Sequence, residues 1–406
     1  MNISILSLTF PPEPAHHILE LATGLVKKGH KVTVITSIPS YPYGRIYEEF
    51  RGRLYSVECV EQVKIVRLPI IPSHSRSVLG RTVYYITNFL STLIYQIMTL
   101  PTRVDLVVAY HPPLTTAFNA MFYKKLKGTV FVCWIHDMWP ETLMEAGLKN
   151  KMVLKVIGIL AGYVYRNATK IMVLSRGFKQ NLIEKGVYRD RIHVVPNWAN
   201  PNKIPLRQPT AEICRKAGLS GKDYHVFYVG NLGEMQALES VIRAISLLKE
   251  EKDIKMVFVG TGTRETELRG LARKMDIEDS VKFIGRVSPE DVPGYYSIAN
   301  ALLVHIKDTD LFRITIPHKI YEYMMAAKPI IAAVRGDARE IILTANAGMA
   351  CEPENPESIS SAIKSLKLMP SADQANMGIN GRRYLLETST PDAIIDRIEE
   401  ILKSSV

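Results

Sequence analysis

Short apolar runs alternate with helix-length amphipathic segments along this 406-residue chain. That alternation predicts an α/β protein, with parallel sheets covered by helices. A break dense in Pro and Asn, Pro196-Asn-Trp-Ala-Asn-Pro-Asn-Lys-Ile-Pro205, has the composition of a linker, and the same alternation restarts after it. The length suits two domains, each burying its own core. The expectation is therefore two doubly wound domains, residues 1–200 and 201–387.

In the first half, strand-like runs fall at residues 3–8, 31–36, 63–68, 105–109, 130–134, 170–174 and 192–195. They are near-continuous apolar stretches, the mark of strands buried on both faces. Helical periodicity fills the gaps at 18–28, 115–125, 152–166 and 177–185. The second half repeats the pattern, with strands at 225–229, 255–259, 281–284, 301–305 and 329–333. Its helices are expected at 237–249, 263–275, 319–326 and 391–404. In doubly wound sheets ligands bind outside the carboxyl ends of the strands. Two such domains sharing one ligand turn those ends toward each other, so a cleft between them is the expected site.

Composition narrows the function. Hydrophobic content of 47% and charged content of 22% suit a soluble globular protein. A net charge of +11 favours anionic partners. No basic stripe interleaves with aromatics, so nucleic acid is not expected. Cys59, Cys133, Cys214 and Cys351 are scattered without a C-x-x-C, which fits a reducing compartment. The chain opens directly on a strand with no basic n-region, so no signal peptide is expected. Residues 84–100 carry no charge and are bracketed by Arg76, Arg81 and Arg103. The stretch is at the lower limit for a span and contains Thr87, Asn88, Ser91, Thr92 and Gln96. It reads as a core or amphipathic helix, the alternative being a helix lying on a membrane.

The densest chemistry lies in Thr315-Ile-Pro-His-Lys-Ile-Tyr-Glu322. Pro317 suits a helix start, whose free N–H groups and positive dipole end make an anion site. Lys319 adds a cation there. Glu322, three residues on, shares its face. A phosphate-facing cation beside a hydroxyl-facing carboxylate suits a nucleotide sugar; the plain alternative is a capped surface helix. His136-Asp137 ends the run at 130–134, where side chains of a doubly wound sheet reach a ligand. Asp137 otherwise caps the next turn. Gly260-Thr-Gly262 follows an apolar run but lacks the third glycine of a dinucleotide fingerprint, so NAD is not expected. No H-E-x-x-H or Walker motif is present, and no metal is expected.

These segments, with Phe10-Pro-Pro-Glu13, His111-Pro-Pro113, His136-Asp-Met-Trp-Pro-Glu141, Val194-Val-Pro-Asn-Trp198 and Gly230-Asn-Leu-Gly233, occur in one order. In that order they resemble the retaining glycosyltransferases of family 4, which have the GT-B fold of two Rossmann-like domains facing across a cleft. Within them the chain resembles the bacterial surface-polysaccharide branch typified by O-antigen N-acetylfucosamine transferases. The resemblance covers nearly the whole chain.

Several expectations follow from the resemblance. A C-terminal helix at about 388–406 packs back on the N-terminal domain. Asp137 orients or deprotonates an acceptor hydroxyl, with His136 near the donor sugar. His16, His17, His111, Trp139 and Glu141 fall on the acceptor side. The donor side takes Gly230, Asn231, Gln236, Gly260, Gly262, Arg313, Thr315, Pro317, Lys319 and Glu322, with the base near Gly285, Arg286 and Val287. Many relatives carry Arg and Lys where this chain has Asn231 and Gln236, leaving Lys319 as the clearest cation for a diphosphate. Ala237 replaces a usual Gly. The loop after the first strand has Pro14-Ala15-His16 where relatives carry Gly-Gly. The first of two family glutamates falls on Ile314, which suggests a less polar donor sugar, 6-deoxy or N-acetylated. The implied reaction passes a sugar from a UDP-sugar to a polyprenyl-diphosphate-linked or other glycan acceptor, with no metal cofactor. It would take place in the cytoplasm, peripherally at the inner face of the membrane. The alternatives are a UDP-N-acetylglucosamine 2-epimerase-like enzyme and a catalytically silent nucleotide-sugar-binding subunit.

Overall fold

The computed structural model describes residues 1–73, 78–99 and 102–406. Arg76 and Leu100 lie outside the described residues. The chain divides into two compact units, Met1–Val195 with Asp392–Val406, and Pro196–Pro391. The Pro- and Asn-rich break belongs to the second unit from its first residue.

The first unit holds a sheet ordered β3-β4-β2-β1-β5-β6-β7-β8. Its strands are β1 (Asn2–Leu6), β2 (Lys31–Ser37), β3 (Ser56–Val60), β4 (Val63–Leu68), β5 (Leu106–His111), β6 (Val130–Ile135), β7 (Lys170–Val173) and β8 (Ile192–Val194). All pair in parallel except β3, which runs antiparallel to β4 at the edge. The helices are α1 (His16–Lys27), α2 (Val78–Met98), α3 (Leu114–Lys127), α4 (Glu141–Glu145), α5 (Lys151–Asn167), α6 (Arg176–Glu184) and, from the end of the chain, α16 (Pro391–Lys403). Strand β3 escapes an apolar-run reading because most of it is exposed and it carries Glu58 and Cys59. Its turn to β4 uses Glu61 and Gln62, both at positive φ, where Asn-Gly is the usual signal.

Helix α16 is tied into this unit by side chains. His30 Nε2 meets Glu399 Oε1 at 2.8 Å, and Lys170 Nζ donates to Ser404 Oγ at 2.5 Å. Gly24 of α1 packs against Ile395 of α16, whose side chain would have to shift for a Cβ there, 2.6 Å from its Cδ1.

The second unit is an all-parallel sheet ordered β11-β10-β9-β12-β13-β14. Its strands are β9 (Tyr224–Val229), β10 (Ile254–Val259), β11 (Val281–Gly285), β12 (Ala301–His305), β13 (Ile330–Ala333) and β14 (Gly348–Cys351). Around them lie α7 (Ala211–Ala217), α8 (Glu239–Ser246), α9 (Glu265–Lys274), α10 (Val292–Ser297), α11 (Asp310–Arg313), α12 (His318–Met325), α13 (Gly336–Thr344), α14 (Pro356–Leu368) and α15 (Ser371–Thr388). Val226, Phe258, Leu268, Leu303 and Ile363 belong to one buried cluster of this unit. Strand β14 is a short Gly-Met-Ala-Cys stretch without an apolar-run signal. Gly348 is needed there because a Cβ would lie 1.9 Å from Ile330 O.

Candidate functional site

In the second unit, the carboxyl ends of β9 and β10 are knitted together by backbone. Gly230 N donates to Val259 O, Leu232 N to Thr261 O, and Gly260 N to Gly285 O. The glycines permit this approach. A Cβ on Gly260 would lie 2.0 Å from Gly230 O, and one on Gly262 would lie 2.3 Å from Leu232 C. Gly260 and Gly262, expected as nucleotide contacts, thus have a packing role that precedes any ligand. Gly230 has φ 141°, and a Cβ there would lie 3.0 Å from Lys319 Nζ.

Helix α12 starts beside this loop. Pro317 occupies its N-cap, and His318, not Pro317, is the first helical residue. Lys319 keeps some exposure as a residue, but its ammonium lies 3.7 Å from the centre of the Tyr228 ring and donates to the Tyr228 hydroxyl at 2.5 Å. Burial pushes its pKa down to about 7. An anion bound here would recover that cost, because it favours the charged form. The Tyr228 hydroxyl in turn donates to Asn231 O at 2.9 Å, so one phenol joins the cation to the glycine loop.

Glu322 shares the face of α12 with Lys319. Its Oε2 accepts from Tyr296 at 3.1 Å, and its Oε1 lies 3.4 Å from His318 Nδ1. Burial works against its charge, but His318, Tyr296 and Lys319 outweigh it and hold the carboxyl below its usual range. It is an ionised acceptor with about a third of its side chain exposed, at 36%. That arrangement suits a vicinal diol.

Asn231 and Gln236 bond to each other at 3.3 Å, and Gln236 Oε1 also accepts Gly233 N at 3.1 Å. Their present role is to shape the loop. Ala237 sits at φ 45°, a left-handed conformation in which a Cβ costs about 1 kcal/mol, so exchanging Gly for Ala here is not a small change. Arg313 is held in ion pairs, Nε to Asp308 at 2.8 Å and Nη1 to Asp310 at 3.4 Å. Asp308 is shared with Arg335. Arg313 therefore serves a charge network and is not a free donor to a sugar. Thr315 Oγ1 donates to Leu311 O at 2.8 Å. Arg286 is exposed just beyond β11, with Val287 half-buried beside it.

Sequence reasoning did not single out His305, Tyr323, Tyr228 or Tyr296. His305 is buried, with Nδ1 donating to Gln236 O at 2.7 Å and Nε2 accepting Glu354 N at 2.9 Å. Burial pushes its pKa down to about 4, so it is a neutral clip on the loop. The Tyr323 hydroxyl accepts Val229 N and donates to Val229 O, holding the end of β9.

In the first unit, His136 and Asp137 follow β6 directly. The His136 backbone N–H donates to His111 O at 2.8 Å, and its ring lies 4.4 Å from that of Tyr110 and 4.5 Å from Trp134. Burial pushes the Asp137 carboxyl up to about 6. Helix α4 has Pro140 at its N-cap and no side-chain cap, so Asp137 does not cap it.

Three residues expected on the acceptor side are otherwise engaged. His111 is fully buried, edge-on to Trp139 and Tyr165, and burial pushes its pKa down to about 3. Trp139 is buried against His111 and Tyr85. Glu141 pairs with Lys185 at 2.5 Å. His16 is exposed and His17 half-buried at the start of α1. The preceding loop is organised by Glu13, a residue quoted above without a role. Its carboxylate accepts the N–H groups of Phe10, Ser40 and Tyr41. Burial outweighs those bonds and raises its pKa.

Two doubly wound units, the second with an ammonium and an ionised acceptor on one helix start, make up the chain. The glycosyl transferase 4-like domain matches residues 14–198, and the glycosyl transferases group 1 family matches residues 210–384. The chain belongs to the glycosyltransferases of the GT-B fold. It is 25% identical to the putative colanic acid biosynthesis glycosyl transferase WcaI of Escherichia coli (strain K12), over 91% of this chain and 93% of that one. It is 26% identical to the probable glycosyltransferase WbjE of Pseudomonas aeruginosa, over 64% of this chain and 66% of that one. Among solved structures, HepE of Anabaena in complex with UDP superimposes with a TM-score of 0.73 at 15% identity, covering all of both chains.

Proposed function

We propose that the chain transfers a sugar from a UDP-sugar to a polyprenyl-diphosphate-linked or other glycan acceptor in bacterial surface-polysaccharide synthesis. The observation that carries this is the pair on α12: an ammonium with a depressed pKa and an ionised, partly open carboxylate, on one face of a helix start. Lys319 and the helix dipole would stabilise the departing diphosphate, whose charge grows in the transition state. Glu322 would hold the ribose hydroxyls. Asp137, with its raised pKa, would take or orient the acceptor's proton. WcaI bears a colanic acid name and HepE was solved with UDP, which supports this donor and this kind of product. Stereochemical retention by front-face displacement, without a divalent metal, is part of the proposal. So is a 6-deoxy or N-acetylated donor sugar, suggested by Ile314. The protein would work peripherally on the cytoplasmic face of the membrane.

A silent binding subunit is the second reading, kept open by Ile314 and by Pro14-Ala15-His16 in place of Gly-Gly, and it predicts UDP binding without turnover. An epimerase needs paired carboxylates near Asp137, and the nearby Glu141 is held by Lys185. The test is a UDP titration with a donor screen read by mass spectrometry. Lys319→Ala should weaken UDP binding by roughly 1.5–3 kcal/mol, the scale of a charge-assisted contact. Glu322→Ala should weaken it too. Unchanged binding in both folded variants would remove the donor assignment.

A further inference from the structure

Helix α2 is inside out. Its inward face carries Tyr84, Asn88, Thr92 and Gln96, all buried. Its outward face carries Ile86, Leu90, Ile94 and Ile97, with Ile94 57% exposed. A water-facing helix places its apolar stripe on the core. Helix α5 repeats the outward pattern, exposing Met152, Val156, Ile159 and Tyr163 at helical spacing, with Ile159 59% exposed. The two helices flank α3, which touches both and rests on β5 and β6. Lys125 of α3 donates to the Tyr163 hydroxyl of α5 at 3.0 Å.

Charge decides what covers this layer. Across α2, α3 and α5 the sequence has Arg81, Lys124, Lys125, Lys127, Lys151, Lys155 and Arg166, but no Asp or Glu. Elsewhere acids are plentiful, with 40 in the chain and four in α16 alone: Asp392, Asp396, Glu399 and Glu400. A second copy docked symmetrically would set cation against cation. Beside α5, Trp139, Pro140, Gly158 and Ile159 line a groove of about 370 Å³ whose rim carries Lys155 and Arg166. Apolar stripes edged by cations, on helices that themselves carry no acid, match the boundary between lipid headgroups and acyl chains.

We infer that α2 and α5 together form a face that docks on an anionic lipid bilayer. This deepens the membrane location proposed above and adds α5, which carries three of the seven cations. The outward stripes enter the acyl boundary, and the Lys and Arg side chains reach the phosphates.

The test is flotation of the full-length protein with vesicles of phosphatidylcholine, alone and mixed with phosphatidylglycerol. Binding should be to the mixed vesicles and fall as salt rises, without vanishing, because the apolar part is not screened. Lys151→Ala should weaken it about fivefold, from about 1 kcal/mol per basic residue near an anionic surface. Val156→Glu with Ile159→Glu on α5 should abolish it, as should Leu90→Glu with Ile94→Glu on α2. Circular dichroism and UDP titration should be unchanged in all of these variants. Wild-type flotation of the α5 variant would overturn the assignment of α5. Failure of the native protein to bind either vesicle would overturn the whole inference. A concentration-dependent dimer lost in the same variants would also overturn it and assign the face to a second copy. A protein that floats but does not bind UDP would leave this inference standing and sink the donor reading.

Discussion

Lys319 and Asp137 are half-buried residues whose ionisable ends are desolvated, which pushes their pKa values in opposite directions toward neutrality. The roles proposed for them need the charged forms, a carboxylate to receive a proton and an ammonium to face phosphate. In the free protein Asp137 becomes charged as pH rises through about 6, and Lys319 loses its charge as pH rises through about 7. kcat/KM should therefore form a narrow bell with limbs near those values. Bound diphosphate restores the ammonium, so the falling limb measured in kcat should move to higher pH. Asp137→Asn should remove the rising limb and slow transfer about 10²-fold or more, with UDP binding kept. A rate profile that ignores this substitution would show that Asp137 is not the acid–base group. Lys319 and Glu322 were legible from spacing because both lie on one turn of one helix. Tyr228 was not, because it reaches Lys319 from a strand 91 positions away. His111, Trp139 and Glu141 belonged to the right segment, but nothing local tells a packed aromatic or an ion-paired Glu from an open one.

At the scale of elements, the site rests on how closely strand ends approach. Gly260→Ala would force a Cβ to within 2.0 Å of the Gly230 carbonyl, a backbone atom that no side-chain rotation can relieve. The expected outcome is a lower melting temperature together with loss of UDP affinity, since the displaced loop is the one Lys319 faces. If affinity is retained while stability falls, the loop does not contact the nucleotide. Strands β4 and β12 were readable to the residue from apolar runs, because a buried parallel strand needs apolar side chains on both faces. Strand β3 and strand β14 were not. The first is an exposed edge and the second is held by a glycine contact. The uncharged stretch at 84–100 was recognisable as helix, but its inverted facing was not. Periodicity shows that a helix has two faces, whereas only the packed structure shows which one meets water.

On the scale of the molecule, the unit made of Met1–Val195 and Asp392–Val406 is discontinuous in sequence. Deleting residues 392–406 removes Glu399 from His30, removes Ser404 from Lys170 and uncovers Gly24, all in the first unit. The deletion should lower the denaturation midpoint of the first unit and leave UDP binding, which is proposed to draw on the second, in place. Equal loss of both would show that the two units do not unfold separately. The same connectivity orders events during synthesis. The second unit is complete once Pro391 has left the ribosome, while the first, though translated earlier, still waits for α16. The half of the protein assigned to the acceptor, which carries the outward apolar stripes, is thus the last to close, and a nascent chain spends most of its elongation with that half unfinished.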